Sequence, residues 1–247
     1  MPESPADTPP VVVQPSLAWP AGRFPPAEPP PVLFADEAMV VLDKPAGLLS
    51  VPGRGDAGAQ NLHRWAEAHW GPMGVVHRLD MATSGLIVFA RDSVALKHLS
   101  GQFAQRTVQK RYEALAHGHP DRQDGTIDLP LAADWPHRPR QKVCLQTGRP
   151  SVTRWRLLGP ATLPEAPALH CTRWALEPVT GRSHQLRVHL WATGHPIVGD
   201  ALYRADGEED TATTPQAVTR LMLHACELTL QHPLTSRTLC LHSAVPF

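Results

Sequence analysis

The stretch VVHRLDMATSGLIVFAR (residues 75–91) decides how the chain is read. Val75 and Val76 read as the end of a buried strand, and Gly85 to Ala90 as another. Between them lies HRLDMATSG, in which Asp80 stands two residues after Arg78 on a short connection. A loop aspartate between strands is ordinarily a turn former or a cap. Here Arg78 supplies a nearby cation, Thr83 and Ser84 supply hydroxyls, and Gly85 allows a tight return into an apolar strand. Burial at such a place would push a carboxylate toward neutrality unless a cation holds it ionised. An ionised aspartate beside an arginine is a usable nucleophile toward a sugar carbon.

Working outward, PVLFADEAMVVLDKP (31–45) reads as two strands around a turn at Ala35 to Glu37. In AQNLHRWAEAHW (59–70), Leu62, Trp65 and Ala66 recur at helical spacing. Asp92 can cap a helix whose face is Leu96, Leu99 and Phe103. QKRYEALAHG (109–118), TRWRLL (153–158) and LHCTRWALEPV (169–179) read as strands, as do RLMLHACELTLQHP (220–233) and RTLCLHSAVPF (237–247). Ser183 can cap a helix from His184 to about Ala192, stopped at Gly194. Strands outnumber helices and often follow one another, so a mixed or antiparallel α+β sheet is expected rather than a βαβ array. Residues 1–31 hold eleven prolines and little periodicity, and read as a disordered tail before one catalytic domain over 32–247.

Lys plus Arg equals Asp plus Glu at 23 each, so the net charge argues against a generic polyanion binder. The distribution argues the other way. Arg138, Arg140, Lys142, Arg149, Arg154 and Arg156 fall between Trp135 and Arg156 with no acid among them, while acids gather in DGEED at 206–210. Most cations are arginines, which suit planar recognition of phosphates and bases. Tyr112, beside Lys110 and Arg111, could stack on a base while the cations hold the backbone. Histidines 184, 189 and 195 lack the H-E-x-x-H spacing, and hydrogen bonding on a helix surface or in the core suits them better than a metal. The cysteines 144, 171, 226 and 240 form no C-x-x-C pair and read as buried free thiols. There is no apolar run of membrane-spanning length and no signal-peptide pattern, so a cytoplasmic protein is expected.

HRLDMATSGLIVFA (77–90), KRYEAL (110–115) and GRSHQLRVHLWATGHPIVGD (181–200) together resemble the RluA family of RNA pseudouridine synthases. DKPAGLLSVPGR (43–54) and RLMLHACELTLQHP fit as well. The resemblance covers about residues 32–247 and leaves out the Pro-rich tail. It leaves no room for the small N-terminal RNA-binding domain that many relatives carry. It implies the pseudouridine synthase fold: an α+β domain with a mixed, mainly antiparallel central sheet, flanked by helices and cut by a central RNA cleft. It implies that uracil is detached from C1′ of its ribose, turned, and rejoined through C5, with no cofactor and no metal. The family's nucleophilic aspartate falls on Asp80, its uracil-packing tyrosine on Tyr112, and the basic partner of the aspartate on Arg182. Arg78 matches the arginine that helps displace the target nucleotide. Lys110, Arg111, Arg138, Arg140 and Lys142 are the expected RNA contacts.

The segment LPLAADWPHRPRQKVCLQTGRPSVTRW (129–155) resembles the branch whose members modify one uridine of 23S ribosomal RNA and one in the tRNA anticodon stem-loop. A monomer acting on structured RNA is expected. Ser183 stands where many members have Thr, and Trp191 adds bulk. Two other readings belong to other classes. One is a catalytically silent RNA-binding or chaperone protein on the same fold, against which Asp80, Tyr112 and Arg182 count. The other is a metal-dependent hydrolase built on the histidines, which a chelator would inhibit.

Overall fold

A computed structural model describes residues 29–53, 60–164, 166–204 and 218–247. The Pro-rich tail up to residue 28 and the acidic run at 206–210 lie outside the described residues. Strands β1 (Val32–Ala35) and β2 (Met39–Lys44) form the predicted hairpin. Its turn is fixed by Asp36, whose Oδ1 accepts from the backbone amides of Ala38 (2.8 Å) and Met39 (2.9 Å). Helix α1 (Leu62–Trp70) follows, capped by Asn61 Oδ1 on the Arg64 amide at 3.0 Å. Then come β3 (Gly74–Val75), β4 (Ser84–Ala90) and helix α2 (Ser93–Gln105). Asp92 caps α2 as expected, accepting from the Ala95 amide at 2.7 Å. Such a cap is worth about 1 kcal/mol.

The next elements are β5 (Gln109–His117), β6 (Asp124–Asp128), β7 (Leu131–Ala133), β8 (Gln141–Val143), β9 (Val152–Leu163) and β10 (Ala166–Pro178). Helix α3 (Gln185–Ala192) and strands β11 (Leu223–Gln231) and β12 (Thr238–His242) close the chain. Among the described residues, ten strands form one sheet in the order β1-β2-β4-β11-β5-β10-β9-β6, with β3 beside β4 and β12 beside β11. Every pairing is antiparallel except β4 with β11. Strands β7 and β8 pair apart from this sheet as a two-stranded arm.

The apolar runs of β2 and β4 are continuous because both faces of the sheet are covered there. Val40, Leu42, Ile87 and Phe89 pack with Leu62, Trp65 and Ala66 of α1. Their sequence neighbours Met39, Val41, Leu86 and Val88 pack with Ala95 and Leu99 of α2 on the opposite face. This is the period of two expressed as two half-cores. A third core lies where β5, β9 and β10 meet α3, around Leu115, Trp174, Leu176 and Leu190. Of the four free thiols, Cys171 and Cys226 are buried as expected, whereas Cys144 is half-buried and Cys240 exposed.

The opening motif departs from its first reading in one respect. Strand β3 has only two residues and Val75 is exposed, so the connection that carries Asp80 starts at the surface. Strand β11 pairs with the start of β4 at Ser84 and Gly85, and β3 pairs with its end at Phe89 and Ala90. Between these pairings His77 takes the place of a strand. Its Nε2 accepts the Val88 amide at 3.0 Å, and its ring stacks on Phe103 of α2 at 4.5 Å. Nδ1 therefore carries the imidazole proton. Burial, with a smaller contribution from Lys110, pulls the pKa of His77 down to about 3. Gly85 adopts φ +111°, and a Cβ there would run into the backbone carbonyl of Ala225 across the parallel pairing.

Two predictions follow from these positions. Gly85→Ala should cost about 3 kcal/mol or more, through strain at positive φ and collision with β11, and the urea midpoint measures it. His77 binds no proton in the folded state until about pH 3, whereas the unfolded chain binds one below about pH 6.5. Its contribution to stability is therefore present at neutral pH and is lost as the pH falls. Between pH 7.5 and pH 5 that loss is about 2 kcal/mol. His77→Gln keeps an acceptor for Val88 without titrating, so its unfolding free energy should drop by about 2 kcal/mol less over the same interval. Equal drops in the two proteins would refute this.

Candidate active site

Asp80 lies on the turn between β3 and β4, closed by the Thr83 amide donating to the Asp80 carbonyl at 3.1 Å. The segment after β2 grips this turn from outside. The Gly47 amide donates to the Met81 carbonyl at 2.8 Å. Ser50 Oγ donates to the Leu79 carbonyl at 2.7 Å and accepts the Leu79 amide at 3.1 Å. Lys44 is fully buried, and its Nζ donates to the carbonyls of Pro45 (2.9 Å), Leu48 (2.7 Å) and Met81 (3.0 Å). Three carbonyls match the three protons of an ammonium. Burial nevertheless pulls the Lys44 pKa down to about 7, against the raising effect of Asp80. Lys44 and Ser50 fall in the DKPAGLLS part of the sequence, where they carried no assigned role; a lysine closing an apolar strand before Pro45 is the signal that could have marked them.

The Asp80 carboxylate is part-exposed and meets two cationic or potentially cationic groups, Arg187 Nη1 at 3.5 Å and His184 Nε2 at 4.0 Å. Arg187 is itself buried on α3. It binds Asp200 bidentately, Nε to Oδ2 and Nη2 to Oδ1, both at 2.7 Å. Burial opposes its charge, but the hydrogen bonds and charge of Asp200, with Asp80, hold its pKa above the ordinary value. The sequence reading gave the pairing with Asp80 to Arg182, and the structure gives it to Arg187. Arg182 lies before the helix; its amide donates to Gln185 Oε1 at 3.1 Å and its Nε to the Pro150 carbonyl at 3.3 Å. The helix begins one residue later than expected, at Gln185, and residues 185–190 are all buried, which carries Arg187 inward. Ser183 does not cap it. His184 occupies the cap position in the left-handed region (φ 54°), without a side-chain capping bond.

Arg182 remains in the same cleft. Burial and then the charges of Arg149 and Arg106 lower its pKa, the mark of a cationic group. Tyr112 sits on β5, in register with Leu176 of β10 and Ala225 of β11. Burial, then Asp80, then Cys226 raise the pKa of its hydroxyl. The phenol is therefore protonated at neutral pH. Lys110 shares the face of Tyr112 by strand alternation and lines the cleft, with its pKa lowered by burial and by Arg106. Arg111 faces the other side of the sheet and pairs with Glu227 at 3.1 Å, so it leaves the expected set of cleft contacts.

The cleft holds about 530 Å³ and brings together Arg78, Asp80, Lys110, Tyr112, Arg182 and Arg187. A second cavity of about 680 Å³ also borders Asp80, sharing Arg78, His184 and Arg187 but walled by Leu49, Val51, Met81 and Leu202. Arg138, Arg140 and Lys142 stand on or beside the β7–β8 arm, outside the first cleft. Arg138 lies over the exposed Trp135 ring at 3.4 Å, Arg140 over Trp191 at 5.6 Å, and Lys142 sits 3.5 Å from Asp134. The motif histidines have separate partners. His189 Nδ1 meets Thr153 Oγ1 at 2.9 Å, and His195 Nδ1 meets the His117 carbonyl at 3.0 Å. Among the described residues no three His, Cys, Asp or Glu side chains converge as metal ligands, and no helix is long and apolar enough to cross a membrane. A carboxylate fixed by a buried guanidinium, facing an aromatic hydroxyl in a cationic cleft, can act as a nucleophile beside bound polyanion.

Comparison with known proteins places the chain in a family. Residues 38–192 match the model of the family described as RNA pseudouridylate synthase. The dual-specificity RNA pseudouridine synthase RluA of Salmonella typhi is 45% identical over 205 residues, covering 82% of this chain and 87% of the relative. RluA of Escherichia coli K12 is 45% identical over 202 residues with the same coverage. Among solved structures, human RNA pseudouridylate synthase domain containing 1 matches with TM-score 0.73 at 26% identity, over 92% of this chain and 87% of its own. Human RNA pseudouridylate synthase domain containing 4 matches with TM-score 0.67 at 26% identity, over 87% of this chain and 88% of its own. The chain belongs to the RNA pseudouridylate synthase family, with the α+β fold of that family around its cleft, and is an isomerase acting on RNA.

Proposed function

We propose that the enzyme converts a uridine of 23S ribosomal RNA and a uridine of the tRNA anticodon stem-loop to pseudouridine, with Asp80 as nucleophile. The dual range rests on relatives named for dual specificity at 45% identity. The role of Asp80 rests on one observation above all: its carboxylate faces the Tyr112 cleft while Arg187, locked by Asp200, stands 3.5 Å away. We also read residues 32–247 as one catalytic unit that works as a monomer in the cytoplasm.

The target uridine must leave its stack before the ribose can be reached, and unstacking costs a few kcal/mol. Packing on the Tyr112 ring would return about 1–3 kcal/mol. Arg78 is exposed, lines both cavities and is placed to hold the space the nucleotide vacates. Asp80 then attacks C1′ as the bond to N1 breaks, and C5 displaces the carboxylate to form the new C–C bond. One proton leaves C5 and one is taken up at N1, so the sum is an isomerisation without a cofactor. Since burial keeps the Tyr112 hydroxyl protonated, it can accept the C5 proton only by passing its own onward. Arg182, Lys110 and the arm residues Arg138, Arg140 and Lys142 would hold phosphates, adding affinity without base specificity.

Asp80→Asn preserves shape and removes the attacking charge. Pseudouridine formation on an unmodified RNA transcript should fall by at least about 10³-fold, with RNA affinity within about threefold. A clean preparation that still turns over near the wild-type rate would exclude Asp80 as nucleophile. Tyr112→Phe keeps the stacking ring and should lose about 10²-fold in single-turnover rate with little change in Kd. Full activity would show that only the ring is used.

A further inference from the structure

Tyr203 is fully buried and takes no part in the chemistry described above. Three separate pieces of the chain meet on it. Two guanidiniums lie over its ring, Arg187 at 5.1 Å and Arg140 of the arm at 5.4 Å from the centroid. Its hydroxyl accepts the amide of Gln141, the first residue of β8, at 2.7 Å. The same hydroxyl lies 2.8 Å from His184 Nδ1, and the other nitrogen of that ring, Nε2, faces Asp80 Oδ2 at 4.0 Å.

The chain of contacts has a direction. A backbone amide can only donate, so the Tyr203 oxygen accepts from Gln141, and His184 Nδ1 at 2.8 Å is an acceptor within reach of the buried hydroxyl's own proton. With Nδ1 as acceptor the imidazole proton resides on Nε2, which faces Asp80 Oδ2 at 4.0 Å, an electrostatic contact longer than a hydrogen bond. The two hydrogen bonds that meet at the Tyr203 hydroxyl polarise one another. His184 holds the left-handed backbone region, uncommon for a residue other than glycine, and this places its ring between Tyr203 and Asp80. The arm that starts the series carries Arg138, Arg140 and Lys142 and pairs with no strand of the main sheet.

We propose that Tyr203 and His184 are positioning residues that couple the β7–β8 arm to Asp80, so that RNA held by the arm sets the carboxylate for attack. The proposal rests on the reading of Asp80 as the nucleophile. It separates the ring of Tyr203, which the two guanidiniums hold, from the hydroxyl, which carries the coupling.

The test uses the full chain and an unmodified RNA transcript that the wild type converts, with the Kd and the single-turnover rate at saturating RNA measured for each variant. Tyr203→Phe should lose about 10-fold in rate with Kd within about threefold, because the ring packing survives and only the series is cut. Arg140→Ala should lower the rate in the wild-type background and add little in the Tyr203→Phe background, since Arg140 holds RNA on the arm and the arm reaches Asp80 only through the Tyr203 hydroxyl. His184→Gln, whose amide can accept from Tyr203 and donate toward Asp80, should keep more of the rate than His184→Ala. A wild-type rate in Tyr203→Phe, or equal fold losses from Arg140→Ala in both backgrounds, would overturn the coupling. So would equal losses in His184→Gln and His184→Ala. Turnover by Asp80→Asn would overturn the reading of Asp80 itself, and this proposal with it.

Discussion

Arg187 and Asp200 meet bidentately in the interior, with both N–O distances at 2.7 Å and both side chains withdrawn from solvent. Desolvating two charges is expensive, and the geometry must be good to offset it; losing one partner of such a pair costs about 3–5 kcal/mol. Asp200 spends its remaining capacity on the amides of Leu202 (2.9 Å) and Tyr203 (3.1 Å). Arg187 has one nitrogen left, and it faces Asp80. The pair thus fixes α3, the turn after it, the ring of Tyr203 and the counter-charge at the cleft. A lone arginine on a flexible stem would not hold this position, whereas the planar fork of a guanidinium clamped on one edge does.

The second constraint is the parallel junction of β4 with β11. It joins the sheet built by the first hairpin to the long antiparallel strands that follow, and Asp80 and Tyr112 come from opposite sides of it. Gly85 permits the approach of the two backbones, and His77 closes the stretch of β4 that neither β11 nor β3 reaches. The turn carrying Asp80 is therefore held at its base by the sheet and at its crown by Lys44 and Ser50. A nucleophile on a loop gains its precision from such support, because the loop has few contacts of its own.

Zero net charge is compatible with an RNA enzyme because the charges are sorted in space. Arg149 and Arg106 come close enough to Arg182 to add to the effect of burial in lowering its pKa, although the three are spread over residues 106–182. The cations of 138–142 gather on an arm beside exposed Trp135. Local fields, not the total, steer a polyanion to the cleft.

The sequence by itself determined the hairpin of β1 and β2, strands β4, β5 and β9 to β12, the three helices, the turn at Asp36, the cap at Asp92, and Asp80 and Tyr112 as the residues to watch. These are encoded in alternation, helical spacing and short motifs, which depend on neighbours along the chain. Arg111 belonged to the same legible class, since period-two alternation from Tyr112 already puts it on the opposite face. The start of α3 was off by one residue because His184 adopts a left-handed conformation that no propensity favours. The partner of Asp80 was not legible: two arginines five residues apart fit the motif equally, and only the burial of residues 185–190 turns Arg187 inward. The meetings of Lys44 with Met81, Tyr203 with Gln141 and Arg187 with Asp80 were decided by the tertiary structure alone. They join residues from 37 to 107 positions apart, and closure of the sheet, not local pattern, brings such groups within hydrogen-bond or ion-pair reach.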